Sequence, residues 1–180
     1  MQVTCVRGRP KLIGRGVYRT VLKVGNLVLK VERGKGKSIE KLRKRAAEVD
    51  SHQRKIRGEL TFLPDYYGAV LAGVRRDAVV FPAIITFHEY VKPLPTYSIR
   101  TLRAIFSLIE KASERGYVLD IKPSNFGEKR EKIFYLDEYG IGKGPIPPDV
   151  LEDLSKFAKF ALKKIKLKKP AWPPSLRKRP

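Results

Sequence analysis

Short segments in the first half of the chain are rich in β-branched and aliphatic residues, as expected for strands. Residues 21–24 and 27–31 form one such pair, and Gly25-Asn26 between them is a strong signal for a hairpin turn. Residues 63–70 and 78–86 form a second pair around a glycine-containing turn. These segments predict one antiparallel sheet.

Apolar residues at helical spacing follow in three stretches. The first begins after Ser38, a fair N-cap, and continues to about Arg57 with a sparse apolar face. The second begins at Ser98, ends near Gly116 and has a full apolar face: Leu102, Ile105, Phe106, Ile109 and Ala112. The third covers residues 150–165. The order of the elements predicts an α+β fold, with a lobe of strands and one helix followed by a helical lobe.

A proline-rich break at residues 93–95 separates these two parts. We expect an N-terminal lobe over residues 1–91, a minimal C-terminal lobe over residues 92–166 and a basic tail over residues 167–180. The longest apolar stretch, residues 78–87, is about half of a membrane span, and the N-terminus has no apolar run of signal-peptide length. We therefore expect a soluble protein without a membrane span.

Charge adds a prediction about partners. The 180 residues include 39 Lys and Arg and 18 Asp and Glu, a formal net charge of +21. Such an excess attracts polyanions, so we expect an anionic partner: RNA, DNA, a ribosome, anionic lipid or a phosphorylated ligand. A charge-rich, thermophile-like surface is the alternative, but ion-pair networks would need comparable numbers of acids. The segment from Lys163 to Pro180 is basic, lacks acids and contains Trp172, a composition that suits either RNA contact or a solvated tail.

Cysteine and histidine are scarce. Cys5 is the single cysteine, which excludes an internal disulfide and a cysteine-based zinc site and favours a cytoplasmic protein. His52 and His88 are isolated in the sequence. We expect them to be surface or hinge residues and assign them no metal.

Residues 117–140, YVLDIKPSNFGEKREKIFYLDEYG, contain the most informative chemistry. One short loop holds Asp120, Lys122 and Asn125, and an apolar run then ends on Asp137. Phosphoryl transfer from a nucleotide needs a carboxylate to accept the hydroxyl proton and a lysine beside the moving group. It also needs an amide oxygen and a second carboxylate to hold magnesium. Turn formation and strand capping explain each residue alone but not the ordered set.

This D-x-K-P-x-N pattern, followed by an Asp after an apolar strand, resembles the catalytic loop and metal-binding Asp of the protein-kinase-like superfamily. The resemblance implies a two-lobed fold that uses ATP and Mg²⁺. By this resemblance Asp120 is the general base and Lys122 neutralises charge on the transferred group. Asn125 and Asp137 would be the magnesium ligands.

Further matches to the superfamily precede the loop. Gly14 and Gly16 form a G-x-G turn, which would offer backbone N–H groups to phosphates. Val21 stands where the family covers the adenine, and Lys30 ends the next strand as in the V-A-I-K pattern. A plain turn and a solvated strand end are the alternatives for these residues.

Two more predictions rest on position along the chain. Glu48, eighteen residues after Lys30 on the first predicted helix, would pair with that lysine and direct it at the phosphates. Glu40 is the alternative partner. Glu89 and Val91 lie in a segment that resembles the hinge, where main-chain atoms contact the adenine, although an ordinary strand end is the alternative there.

The chain also departs from the family pattern. Arg19 replaces the third glycine of the glycine loop, Val118 replaces the His of H-R-D, and D-F-G is replaced by D-E-Y-G, in which Glu138 could join the metal shell. Asp137 is followed by 43 residues without an A-P-E motif. The chain is therefore most similar to minimal kinases, as in YrbL-like proteins, RIO kinases and tRNA-modification kinases.

We expect a minimal Ser/Thr protein kinase that transfers the γ-phosphate of ATP to a hydroxyl. Its substrate would be an RNA- or ribosome-associated protein, or the kinase itself. A small-molecule kinase is one alternative, although such enzymes usually need a larger helical lobe for the acceptor. A catalytically idle kinase fold that binds RNA or acts as a scaffold is the other.

Overall fold

The computed structural model describes residues 9–16, 18–34, 36–76, 78–94, 98–144, 152, 155–156 and 158–159. Four features discussed above lie outside these ranges: Cys5, Trp172, the predicted basic tail and most of the predicted helix over residues 150–165.

An antiparallel sheet of five strands forms the N-terminal part. The sequence predicted four of these strands; the fifth, β1, includes Gly14 of the predicted G-x-G turn, which pairs with Val21. The strand order of the sheet is β1-β2-β3-β5-β4. Gly25 and Asn26 form the turn between β2 and β3. This turn needs a glycine at residue 25 because its φ is 57°, a value that glycine adopts readily. The strands are β1 (Lys11–Arg15), β2 (Arg19–Val24), β3 (Leu27–Arg33), β4 (Tyr66–Arg76) and β5 (Val79–Glu89).

Helix α1 (Ile39–Glu59) packs against β4 and β5. Ser38 caps its first turn, because the Ser38 side chain accepts a hydrogen bond from the Lys41 N–H at 3.3 Å. One stripe of the helix is buried, at Leu42, Val49, Gln53 and Ile56. The remaining surface is mostly charged, so a single sparse face holds α1 to the sheet.

The second part is built on helix α2 (Ile99–Ser113), which Ser98 caps by accepting from the Thr101 N–H at 3.0 Å. Ile105, Leu108 and Ala112 are its buried residues. One short strand precedes the helix, and four short strands and a 3₁₀ turn, Pro123–Asn125, follow it. The strands are β6 (Lys92–Pro93), β7 (Tyr117–Val118), β8 (Phe126–Lys129), β9 (Lys132–Tyr135) and β10 (Gly142–Lys143), paired as β6-β8-β9 and β7-β10.

One hydrophobic core connects the two parts. The end of α1 and residues 60–63 pack together with α2 and the strands around Phe126 and Tyr135. These two aromatic rings are fully buried and meet edge to face, with centroids 5.6 Å apart. The core therefore fixes the sheet and the loop after β7 relative to each other. Within the described ranges, no helix is long and apolar enough to cross a membrane.

Candidate active site

A cleft of about 600 Å³ lies between the five-stranded sheet and the loop that follows β7. Strands β1–β3 form one wall, the end of β5 forms the back, and residues 120–125 and 136–138 form the opposite wall. Ten of the eleven predicted site residues line this cleft: Gly14, Gly16, Val21, Lys30, Glu89, Val91, Asp120, Lys122, Asn125 and Asp137.

Glu48 is the exception, and the structure corrects its predicted pairing with Lys30. The Glu48 side chain is 52% exposed and lies 3.8 Å from Arg45, one turn earlier on α1. Glu48 directly precedes the buried Val49, so it lies off the stripe that faces the sheet. The alternative, Glu40, is exposed in the first turn of α1. The sequence spacing placed the helix correctly but did not place either carboxylate at the lysine.

Lys30 pairs instead with Glu138, which follows the predicted metal ligand Asp137. The Lys30 Nζ donates to Glu138 Oε2 at 2.6 Å and to the Leu136 carbonyl at 2.8 Å. Glu138 is 1% exposed. Burial is the largest single influence and opposes ionisation of Glu138. The charge of Lys30, the nearby His88 and the hydrogen bonds to the carboxylate together outweigh burial and hold the pKa of this carboxyl below its usual value. Glu138 therefore carries a negative charge directly behind the lysine.

His88, at the end of β5, is buried beside this pair. Of the two alternatives expected for it, a surface residue or a hinge residue, the first is therefore wrong. The Arg57 guanidinium, which only donates, lies 3.1 Å from His88 Nδ1. Nδ1 therefore accepts, and the proton on Nε2 is donated to Thr86 Oγ1 at 2.9 Å. Burial lowers the pKa of His88 to about 4, against the opposing effect of Glu138. The ring is thus neutral at pH 7.

The side chain of Arg19, which replaces the third glycine of the family pattern, is held by two neighbouring side chains. Its guanidinium lies 3.4 Å from the centroid of the Tyr139 ring and donates to Glu32 at 2.7 Å. The Tyr139 hydroxyl in turn donates to Thr86 Oγ1 at 3.2 Å. A second cavity of about 280 Å³ opens beside Arg19, lined by Gly16, Tyr18, Arg19, Val21, Lys30, Asp137, Tyr139 and Gly140.

The loop that bears Asp120 is fastened by Tyr135, a residue that sequence reasoning missed. The Tyr135 hydroxyl accepts from the Asp120 N–H at 3.0 Å and donates to the Asp120 carbonyl at 3.2 Å. Asn125 Nδ2 donates to the same carbonyl at 2.9 Å. The substitution of Val118 for the family's histidine therefore does not leave the loop unsupported. The signal that could have indicated Tyr135 is its inward position on β9, two residues before Asp137.

The side chains of Asp120 and Lys122 contact each other at the mouth of the cleft. Lys122 Nζ lies 2.7 Å from Asp120 Oδ2, with 28% of the aspartate side chain exposed. A carboxylate so placed can accept a proton from a hydroxyl that enters the cleft. The lysine beside it can neutralise developing negative charge on a transferred group.

Asp137 and Asn125 offer oxygen atoms of the kind that Mg²⁺ prefers. Burial raises the pKa of Asp137; Lys30 opposes this effect, and the neighbouring carboxylates of Glu138 and Asp120 add to it. A bound cation would relieve that crowding. Among the described residues, no group of three or more His, Cys, Asp or Glu could hold a metal. Two oxygen donors leave most of the coordination sphere of a cation open, which suits Mg²⁺, an ion that usually keeps several other ligands.

Gly140 allows the two aspartates to approach each other. A Cβ atom at this position would lie 2.8 Å from Asp137 Oδ2, 3.1 Å from the Asp120 Cβ and 3.2 Å from the Tyr135 hydroxyl. No side chain fits there without moving at least one of these groups. The glycine is therefore required by the close approach of the loop and the segment after β9.

Comparisons with known proteins agree with this architecture. No protein-family model and no curated protein sequence matches the chain. The structure is similar to that of WbdD, a bifunctional kinase-methyltransferase, with a TM-score of 0.54 at 12% identity over 80% of this chain and 35% of the WbdD chain. The chain has a protein-kinase-like fold. It spans about a third of the length of WbdD, so the similarity concerns the fold alone.

Two further structures give lower scores. Vaccinia related kinase 3 has a TM-score of 0.42 at 14% identity, over 73% of this chain and 47% of that kinase. A choline/ethanolamine kinase family protein from Mesorhizobium loti has a TM-score of 0.40 at 14% identity, over 89% of this chain and 67% of that protein. The elements of this structure and the strand order of its N-terminal sheet themselves confirm the α+β class and the antiparallel sheet predicted from the sequence.

Proposed function

We propose that this protein is a minimal Ser/Thr kinase that binds Mg-ATP in the cleft and transfers its γ-phosphoryl group to a hydroxyl. The observation that supports this proposal is the convergence of ten predicted site residues on one cleft of about 600 Å³. That volume lies within the usual range for small-ligand sites, about 300–1,000 Å³. Lys30 on one wall faces Asp120 and Asp137 on the other, so one cation and two carboxylates surround the place proposed for the phosphates.

The adenine would lie at the back of the cleft, between Val21, Val28 and the segment that ends β5. In that segment the N–H of Glu89 donates to the Asp65 carbonyl, and the N–H of Tyr90 donates to the Asn26 carbonyl, each at 2.8 Å. We therefore assign adenine contact to the backbone of Val91. The Glu89 side chain is paired with Lys129, so its contribution would also come from the main chain.

In the reaction, Asp120 would accept the proton of the attacking hydroxyl, and Lys122 would stabilise negative charge on the transferred group. Asn125 and Asp137 would hold Mg²⁺, which when bound supplies positive charge at the β- and γ-phosphates. Lys30, held beside Asp137, would contact the phosphates from the sheet side. The walls of the cleft would exclude water from the transferred group.

The proposal is tested by incubating purified protein with radiolabelled Mg-ATP and measuring both ADP and phosphoprotein. Asp120→Asn keeps the size of the side chain but removes the base, so kcat should fall by about 10²–10⁴-fold. Glu131→Gln, which removes an acid that is 80% exposed, is the matched control and should leave kcat unchanged. Neither ADP nor phosphoprotein from the parent protein, or full activity in Asp120→Asn, would refute the proposal.

The acceptor that we propose is a protein bound to RNA or a ribosome, or the kinase itself. The net charge of +21 supports this choice, as does the exposed face of α1, which presents Lys41, Arg43, Lys44, Arg54 and Lys55. The same observation favours a second candidate function, an RNA-binding module with an idle site. RNA affinity that falls steeply with salt, unchanged by Lys30→Ala, in a protein that makes no ADP would favour the module.

A further inference from the structure

The lysine that would contact the phosphates has both of its hydrogen-bond acceptors on one short segment. The Leu136 carbonyl and the Glu138 carboxylate flank Asp137, and both accept from Lys30 Nζ. The ion pair is largely out of water, with 11% of the Lys30 side chain and 1% of the Glu138 side chain exposed. The lysine and the proposed metal ligand are therefore fixed by the same three residues.

From this geometry we propose that Glu138 is the positioning residue for Lys30, the role that the sequence assigned to a carboxylate on the first helix. The inference rests on the proposed function of the cleft. A lysine on β3 has a flexible stem, and two acceptors at 2.6 and 2.8 Å fix its ammonium group beside Asp137. An ammonium group held in this way is preorganised for nucleotide phosphates.

The surroundings of Glu138 leave it no stronger partner than Lys30. Its Oε1 lies 3.3 Å from His88 Nε2 but has no hydrogen bond among the described residues, because the Nε2 proton is donated to Thr86. Its Oε2 is occupied by Lys30. Both carboxylate oxygens thus face Lys30 and His88, which argues against the earlier expectation that Glu138 joins the metal shell.

Helix α1 contributes to this arrangement through the guanidinium of Arg57 and not through an acid. Arg57 donates to His88 Nδ1 and to the Pro64 carbonyl, so it supports the histidine that lies behind Glu138. Neither hydrogen-bond acceptor of Lys30 lies on α1. A displacement of residues 136–138 would release the lysine and the metal ligand together.

The test is a double-mutant cycle on Mg-ATP affinity, measured by isothermal titration calorimetry on the full chain. The variants are Glu138→Gln, Lys30→Met and the double variant, with Glu48→Gln and the exposed Glu131→Gln as comparisons. Loss of a charge-assisted hydrogen bond in a buried site predicts about 10- to 100-fold weaker binding for Glu138→Gln. The two comparison variants should stay within about twofold of the parent, as is usual for exposed residues.

The cycle distinguishes positioning from general support of the fold. If Glu138 acts through Lys30, Glu138→Gln should cost no further affinity once Lys30 is methionine. Thermal unfolding without nucleotide shows whether Glu138→Gln is folded, and Glu138→Asp, which keeps the charge on a shorter stem, provides a second variant. Glu138→Asp should recover part of the lost affinity.

Three results would overturn the inference. The first is parent-like affinity in a folded Glu138→Gln, or, should that variant not fold, no loss of affinity in Glu138→Asp. The second is an equal loss from Glu138→Gln with and without Lys30. If the parent binds Mg-ATP and either result is found, only the role of Glu138 fails. The third is absence of Mg-ATP binding by the parent, which refutes the proposed function itself.

Discussion

Replacing Tyr135 with phenylalanine removes the one hydroxyl that holds both backbone groups of Asp120. The ring is fully buried and fills the same space in both residues, so the core packing stays the same. Burial raises the pKa of Tyr135 above its ordinary value, so the hydroxyl remains protonated and can both accept and donate. The variant therefore removes two hydrogen bonds to Asp120, at 3.0 and 3.2 Å, together with an interaction with the Asn125 side chain.

The expected loss of stability follows from the backbone group of Asp120 that loses its hydrogen-bond partner. The Asp120 carbonyl keeps its bond from Asn125, but the Asp120 N–H loses the Tyr135 oxygen. An unsatisfied buried donor costs about 1–3 kcal/mol. For a chain of this size, that free energy corresponds to a fall in Tm of about 2–4 °C for each kcal/mol. The loop should also move, so we expect kcat to fall by about 100-fold, as for a displacement near 1 Å.

Tyr117→Phe is the matched control for Tyr135→Phe. Tyr117 is also buried, but its hydroxyl donates to Glu59 on α1 at 2.5 Å and has no bond to the loop. Urea unfolding should show a loss of stability in both variants, whereas steady-state assays of ADP production should show lower kcat for Tyr135→Phe alone. Equal kcat in parent and Tyr135→Phe, or an equal fall in both variants, would refute the reasoning.

Two further predictions follow from the same structure. Gly140→Ala places a Cβ 2.8 Å from Asp137 Oδ2, so calorimetry should show weaker Mg-ATP binding in this variant. Gly58→Ala, which has open space around it in α1, is the control and should raise the free energy of unfolding by about 0.5–1 kcal/mol. Equal Mg-ATP affinity in both variants would contradict this prediction. Burial raises the pKa of Tyr117 from 10.0 to about 12, so the protonated group stabilises the fold fully below about pH 10. This contribution is lost as the pH rises to about 12, and urea unfolding should show a smaller loss in Tyr117→Phe.

Local signals in the sequence predicted the elements that local physics determines. Ser38 and Ser98 begin their helices, and Gly25-Asn26 makes its turn, because capping bonds and backbone dihedral preferences act within a few residues. The spacing in D-x-K-P-x-N likewise placed Asp120 and Asn125 in one loop. The kinase-like fold was predicted from the resemblance of this loop, of Asp137 and of the matches that precede the loop to the protein-kinase-like superfamily.

The partners across the cleft depend on tertiary packing. Lys30 and Glu138 are 108 residues apart in the sequence. The stripe of α1 that packs against the sheet determines that Glu48 lies on the exposed face of the helix. The sequence alone gave no reason to distinguish Tyr135 from other strand residues. Only the packing of the core shows that its hydroxyl contacts the backbone of Asp120. The sequence by itself determined the elements and the residue types of the candidate site. Tertiary packing decided which charges meet, because long-range contacts depend on how the faces of those elements pack together.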